Sequence, residues 1–126
     1  MVLLSIKPEY CKKIFSQEKK VEYRKRIFKE KVDTLLIYES NPTKHIIGEV
    51  PILGVLKGTP SVIWEKTEQF GGIAEAEFYK YFSHSESAYA IQLGIPLKYD
   101  TPRTLDEYGI HRPPQSFCYV KEYKNS

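Results

Sequence analysis

The stretch Gln-Glu-Lys-Lys-Val-Glu-Tyr-Arg-Lys-Arg, residues 17–26, decides how the fold of this chain is interpreted. Successive side chains of a strand point to opposite faces, so a strand here would divide its residues into two alternating sets. One face would carry Lys20, Glu22, Arg24 and Arg26. The other would carry Lys19, Val21, Tyr23 and Lys25. Four charged side chains do not build an apolar core, so the first face is either a solvated surface or the floor of a polar cleft.

The distribution of charge favours the cleft. Residues 12–31 hold nine basic and three acidic side chains, whereas the rest of the chain holds ten basic and thirteen acidic ones. The overall charge of +3 therefore conceals a basic segment on a mildly acidic body. Asymmetry of this kind is typical of proteins that bind a polyanion, most simply a nucleic acid.

The length of 126 residues predicts a single domain, residues 1–126, with one hydrophobic core. Cys11 and Cys118 stand far apart and outside any Cys-x-x-Cys pair, which favours reduced thiols and the cytoplasm, with a single disulfide as the alternative. Met1 to Ser5 are too few and too uncharged for a signal peptide. No apolar run approaches the length of a membrane helix, so we expect no membrane association.

Hydrophobic periodicity predicts an α+β domain with about five or six strands. The predicted strands cover residues 2–6, 19–26, 34–38, 45–56, 88–93 and 117–120. Helices are expected to begin at Pro8 and at Thr59-Pro60, and a third carries Phe78 and Phe82. A single helical turn is expected between Thr104 and Gly109. Prolines 96 and 102 limit the fifth strand, and residues 121–126 read as a polar tail.

Several short motifs give the chain a resemblance to a known family. Lys19, Glu22 and Arg24 follow a predicted helix at the spacing Gly-x-Lys-x-x-Glu-x-Arg, with Gln17 at the glycine position. Further matching segments are Leu4-Ser5-Ile6-Lys7-Pro8, Arg24-Lys25-Arg26, Ile47-Gly48-Glu49, Trp64-Glu65-Lys66 and Pro114-Gln115-Ser116-Phe117. The chain resembles the small bacterial, archaeal and phage members of the ASCH domain family, within the PUA-like superfamily.

This resemblance implies a PUA-like β-barrel with helices covering its ends and a cleft floored by the charged strand. Members are expected to bind RNA or a nucleotide-like ligand, and some are described as transcriptional coregulators. One related branch hydrolyses acetylated cytidine, and ribonuclease activity has been proposed for others. For this chain the resemblance implies a coregulator of transcription or translation that binds RNA or a nucleotide in a basic cleft.

The candidate binding residues are cationic or able to hydrogen-bond a nucleotide. The set comprises Lys19, Lys20, Glu22, Arg24, Arg26, Gln115 and Ser116. Cations would neutralise phosphates, and an arginine would also stack on a base. The alternative is ordinary solubilising charge on an exposed strand. Glu22 would either orient Arg24 or accept a hydrogen bond from a base, unless it forms only a weak surface ion pair.

Lys19 is the candidate reactive group if the protein is an enzyme. A lysine nucleophile or base must first lose its proton, and neighbouring cations favour that loss while Glu22 opposes it. The amidohydrolase branch would pair this lysine with a threonine and a distant glutamate. The threonine position is Glu22 here, and ungapped alignment through Trp64-Glu65-Lys66 puts the glutamate position near Gly71. Two of those three roles are therefore unfilled, and a protein-interaction adaptor is a third possibility.

The remaining polar and aromatic residues give weaker signals. Ser5, Lys7 and Ser40 end predicted strands and would line the same opening as the charged strand. Tyr23 and Tyr38 are the candidates for base stacking, whereas Trp64 is interpreted as core packing. The three histidines lie in separate segments without metal-ligand spacing, so neither a metal nor a cofactor is expected. The sequence leaves the oligomeric state open.

Overall fold

The computed structural model describes residues 1–121 and contains one mixed, curled sheet of seven strands, which confirms the predicted α+β barrel class. The strands are β1 (Val2–Ile6), β2 (Val21–Arg24), β3 (Thr34–Glu39), β4 (His45–Gly58), β5 (Ala88–Leu93), β6 (Leu97–Arg103) and β7 (Phe117–Tyr119). Their order is β2-β5-β4-β3-β1-β7, with β6 also paired to β4. Residues 122–126, most of the predicted polar tail, lie outside the described residues.

The centre of the sheet is formed by its most apolar segments. Strands β1 and β3 run parallel, and the other strand pairs are antiparallel. Leu36 and Ile37, which are successive residues of β3 and so point to opposite faces of the sheet, have no exposed surface, and neither does Leu3 of β1. Burial of this kind is the main favourable term in folding, at about 25 cal/mol for each Å² of apolar surface.

Helix α1 (Pro8–Phe15) begins at a proline, which is tolerated in the first turn because its missing N–H has no partner there. Its apolar stripe buries Cys11 and Ile14 against the main core. Gln17 follows the helix with φ of +65°, a left-handed conformation that usually requires glycine. This is the position at which the family motif has its glycine, so the turn is retained although the residue differs.

Helices α2 (Pro60–Thr67) and α3 (Glu75–Tyr81) pack against β2 and β5 through an aromatic cluster. The Thr59 hydroxyl accepts a hydrogen bond from the backbone N–H of Val62, which confirms the predicted N-cap. The Trp64 ring lies 5.0 Å from that of Phe78, so Trp64 packs in the core as expected.

One strand and one strand boundary differ from the prediction. Strand β6 was not predicted, because Pro96 and Pro102 were interpreted as breakers. In the described part of the chain β6 pairs only with β4, and an edge strand tolerates a proline that donates no hydrogen bond. The charged strand was predicted from Lys19, but its ladder begins only at Val21. A short 3-10 helix, Asp106–Tyr108, forms the expected turn before Gly109.

Candidate functional site: a basic cleft beside strand β2

A cleft of about 650 Å³ lies beside strand β2. One wall comes from the end of β1 and the start of α1, and the opposite wall comes from α3. Its lining includes Ser5 and Lys7 from the first wall and Glu77, Lys80 and Tyr81 from the second. The floor contributes Lys19, Glu22 and Arg24, so the charged segment does line a concave surface.

Lys19 lies at the bottom of the cleft and is only 3% exposed. Its Nζ donates a 2.6 Å hydrogen bond to the Gly71 carbonyl oxygen and lies 3.7 Å from Glu22 Oε1. The same nitrogen lies 5.4 and 4.9 Å from the ring centroids of Tyr10 and Tyr23. The expectation that Lys19 and Glu22 occupy opposite faces was wrong, because Lys19 precedes the strand and is not bound by its alternation.

Glu22 joins the two buried cations of the cleft. Its Oε2 lies 3.1 Å from Arg24 Nη2, and the same Arg24 nitrogen donates to the Ser5 carbonyl oxygen at 2.9 Å. The Glu22 side chain is 10% exposed and that of Arg24 is 14% exposed, so this is not a surface ion pair. Of the interpretations left open for Glu22, the arrangement supports its orienting Arg24. Arg24 Nε is buried without a hydrogen-bond partner.

The environment lowers the pKa of Lys19. Burial is the largest cause, because removing the ammonium from water disfavours its charged form. Glu22 opposes this effect, whereas Lys13 and Arg24 add to it. A neutral amine is therefore easier to reach at Lys19 than at an exposed lysine, which is the property that a nucleophile or a general base requires.

Two glycines shape the wall that holds Lys19. A Cβ on Gly71 would lie 2.3 Å from the Tyr23 hydroxyl oxygen, and one on Gly72 would lie 2.8 Å from Lys19 Cβ. Gly72 also has φ of +65°, and its carbonyl oxygen accepts a 2.8 Å hydrogen bond from Lys13 Nζ. The backbone carbonyl groups of the two glycines are therefore the hydrogen-bond acceptors for two lysines, Lys19 and Lys13.

The rim of the cleft contains residues that sequence reasoning missed. Lys25 and Lys80 are exposed at the opening, and Tyr10 donates a 2.8 Å hydrogen bond to Glu77 Oε2 across it. Lys25 Nζ lies 4.7 Å from the ring centroid of Tyr81. Glu77, Lys80 and Tyr81 are three and four residues apart, so they share one face of α3. The spacing of these three residues is visible in the sequence, but the sequence does not show which strand α3 packs against.

Several predicted site residues lie outside the cleft lining. Lys20 and Arg26 are exposed, as is Gln115, while Ser116 is half-buried. The Ser5 hydroxyl donates to the Pro114 carbonyl oxygen at 3.2 Å, so the C-terminal segment does approach the end of β1.

The two tyrosines predicted to stack on bases are buried. Tyr23 lines the cleft, but its ring packs against Phe78 and Phe82 and its hydroxyl lies 2.7 Å from Thr67 Oγ1. Tyr38 belongs to a separate core cluster, and Ser40 does not line the cleft.

Within residues 1–121 no group of three or more histidine, cysteine and acidic residues is arranged to hold a metal ion. In the same range no helix has both the length and the apolar character needed to cross a membrane. Cys11 and Cys118 are both free thiols.

Comparison with known proteins identifies the family. The sequence pattern that defines the ASCH domain matches residues 4–100. The chain belongs to the ASCH domain family. A crystal structure of ASCH from Zymomonas mobilis superposes with a TM-score of 0.87 and 26% sequence identity. That match covers 98% of this chain and 89% of the other, so the ASCH fold extends through the described residues.

Two curated relatives are similar to this ASCH chain along its length. An ASCH domain-containing ribonuclease of Zymomonas mobilis is 28% identical over 127 residues, covering 95% of this chain and 84% of that protein. The large ribosomal subunit protein uL22 of Ureaplasma parvum is 31% identical over 121 residues, also 95% of this chain. This chain spans only 39% of the length of that ribosomal protein.

Proposed function

We propose that this ASCH domain binds single-stranded RNA or a nucleotide in the cleft beside β2. The observation that carries the proposal is the position of Lys19 and Arg24 on the floor, with the exposed lysines 7, 25 and 80 around them. Cations in a concave site with low-dielectric walls attract a phosphate more strongly than the same cations on a flat surface. The ribonuclease relative supports RNA as the polyanion.

Within this proposal the parts of the cleft have different tasks. The rim lysines contact phosphates, which gives affinity that depends on salt but carries no sequence information. Arg24 is held by Glu22 and the Ser5 carbonyl, so its planar guanidinium is already oriented for a directional contact with a base or phosphate. Lys20, Arg26, Gln115 and Ser116 would act outside the cleft lining, on RNA that extends beyond it.

A double variant of the rim, Lys7→Gln with Lys80→Gln, tests the proposal without disturbing the buried ion pairs. The matched control is Lys66→Gln with Lys98→Gln, two exposed lysines outside this cleft. Each lost phosphate contact should reduce the slope of log affinity against log salt by about 0.7 for a single strand. We expect the rim variant to lose about 1.4 in slope and the control to keep the wild-type slope. Equal RNA binding by both variants would refute the proposal.

A second candidate function is hydrolysis of RNA or of a modified nucleoside, with Lys19 as the reactive residue. The lowered pKa of Lys19 and the ribonuclease relative favour it. The amidohydrolase form is less well supported, because Gly71 offers Lys19 a backbone carbonyl where that chemistry would need a carboxylate. Incubation with labelled RNA and with acylated nucleosides tests the candidate. Turnover that is lost in Lys19→Met supports an enzyme, and no turnover by the wild type rejects it.

A coregulator role in transcription or translation, and action in the cytoplasm, are parts of the same proposal. RNA is available to such a domain in the cytoplasm, and the two free thiols agree with a reducing compartment. Copurification of RNA from cells that express the tagged protein, compared with the Lys7/Lys80 variant, tests whether it meets RNA there.

A further inference from the structure

A second concavity lies beyond the end of strand β2. It is a groove of about 660 Å³ whose lining includes the apolar side chains of Ile27, Phe28, Val32, Leu53 and Val55, and three charged ones, Lys31, Glu30 and Asp33. We call it the second groove. Residues 25–33, which connect β2 to β3, form one side of it, and β4 forms the other.

Residues 25–33, here called the basic loop, connect the second groove to the cleft. Lys25 lines the cleft and Ile27 lines the second groove, so only Arg26 separates the two linings along the chain. Along the chain the two linings are therefore one residue apart, and Arg26, which is exposed and lines neither concavity, stands between them.

The basic loop has a charge suited to a polyanion. Its four cations, Lys25, Arg26, Lys29 and Lys31, are all exposed, against the two acids Glu30 and Asp33. In the described part of the chain none of these four cations forms an ion pair, whereas on the cleft floor Glu22 pairs with Lys19 and Arg24. The charges of the loop are therefore available to an external partner.

The basic loop is held in place although it has no regular secondary structure. The backbone N–H groups of Lys29 and Glu30 both donate to the Tyr119 hydroxyl, at 2.8 and 3.0 Å. Phe28 packs edge-on against Phe117, with ring centroids 6.1 Å apart. These contacts to β7 hold the Phe28 ring at the second groove. Aromatic surface beside cations is the combination that binds single-stranded nucleic acid without base pairing.

We infer that the second groove is a subsite for a further nucleotide of a single-stranded RNA whose other end lies in the cleft. This inference rests on the proposed function. The phosphates run along the basic loop, Lys29 and Lys31 contact them, and a base packs against Phe28 and the apolar wall of the groove. The ligand class is accordingly an oligonucleotide that spans both concavities, in preference to a free mononucleotide.

The test compares two RNA lengths, the octauridylate that spans both sites and the 5′-phosphorylated diuridylate that fills only the cleft. The variant is Lys29→Gln with Lys31→Gln, whose side chains are exposed, and the control is Lys66→Gln with Lys98→Gln. Loss of two phosphate contacts should weaken octauridylate binding by about tenfold near 0.1 M salt and reduce its salt slope by about 1.4. Diuridylate affinity should be unchanged.

The outcomes separate this inference from the proposed function. If the Lys29/Lys31 variant binds octauridylate as well as the control does, while the Lys7/Lys80 variant is impaired, the second subsite is refuted and the cleft remains. If the Lys29/Lys31 variant loses diuridylate binding equally, the loop belongs to the cleft and the inference is wrong. If the wild type binds neither RNA, the proposed function fails together with the subsite.

Discussion

The Lys19 ammonium donates a 2.6 Å hydrogen bond to the backbone carbonyl oxygen of Gly71, 52 residues further along the chain. This contact orients the buried amine toward the α3 side of the cleft and depends on a glycine, because a Cβ at residue 71 would collide with the Tyr23 hydroxyl. The position of Lys19 is therefore set by backbone packing as well as by its ion pair with Glu22.

We expect Gly71→Ala to destabilise the protein by about 1–3 kcal/mol, because Tyr23 or the turn must shift to relieve the 2.3 Å contact. Chemical denaturation measures the loss. Gly94→Ala is the control, since its nearest contact would be a side-chain carbon of Pro51 at 3.1 Å. A Gly71→Ala protein as stable as the Gly94→Ala protein would contradict this account of the turn.

Gln17 should be a site of easy stabilisation. Its φ of +65° is costly for a residue with a Cβ, and glycine adopts it without that cost. Glycine also loses more backbone entropy on folding, which offsets part of the gain. We expect Gln17→Gly to raise the free energy of unfolding by about 0.5–1 kcal/mol. Ser16→Gly, at an ordinary φ of −82°, should lower it, and the opposite order of stabilities would show that the turn is not strained.

Removing one member of the Glu22–Arg24 pair should lower the free energy of unfolding more than replacing both members with apolar residues. Arg24→Met leaves the Glu22 carboxylate buried with only Lys19 3.7 Å away, and we expect a loss of about 3 kcal/mol. The double variant Glu22→Leu with Arg24→Met removes both charges and should recover part of that loss. Urea unfolding of the wild type, both single variants and the double variant gives the coupling energy. Additive effects would mean that the pair is no stronger than a surface ion pair.

Lys19 should make stability depend on pH in the alkaline range. Its folded-state pKa lies below the ordinary 10.5, so between those two values the unfolded chain binds more protons than the folded one. The free energy of unfolding contributed by Lys19 therefore rises as pH increases through that window. Lys19→Met lacks this contribution. The free energy of unfolding of the wild type minus that of Lys19→Met should therefore increase as the pH rises.

Urea titrations up to pH 10, the ordinary pKa of tyrosine, measure this difference. Above that range Tyr10 and Tyr23 interfere, because burial raises their pKa values and their ionisation acts in the opposite direction. A wild-type minus Lys19→Met difference that stays constant with pH would mean that burial does not perturb the amine.

The Tyr10–Glu77 hydrogen bond should restrict access to Lys19. It links α1 to α3 across the opening, and burial together with Glu77 raises the Tyr10 pKa, so the hydroxyl remains a protonated donor. In Tyr10→Phe we expect a stability change below about 1 kcal/mol, since the pair is exposed. Acetylation of Lys19, followed by peptide mass spectrometry, should become several-fold faster.

Glu77→Gln is the control for Tyr10→Phe, because the amide oxygen still accepts the hydrogen bond. We expect its Lys19 acetylation rate to stay near that of the wild type. Equal rates in Tyr10→Phe and the wild type would show that the Tyr10 hydroxyl does not limit access.

Local patterns were sufficient to predict much of the fold. The apolar runs gave β1 and β3, the Thr59-Pro60 pair gave the start of α2, and alternation gave β5, because these signals depend on neighbouring residues alone. Strand β6 was missed for the opposite reason. Prolines at 96 and 102 argue locally against a strand, and only pairing with one side of β4 makes Pro102 acceptable.

The sequence by itself determined the family, the α+β class and the concentration of positive charge after the first helix. Only the tertiary structure decided which of those charges meet. Lys19 and Arg24 come together through Glu22, while Lys20 and Arg26 remain exposed outside the cleft lining. The walls of the cleft come from α1 and α3, more than 60 residues apart at the Tyr10–Glu77 contact. Long-range packing sets such contacts, and no local periodicity encodes them.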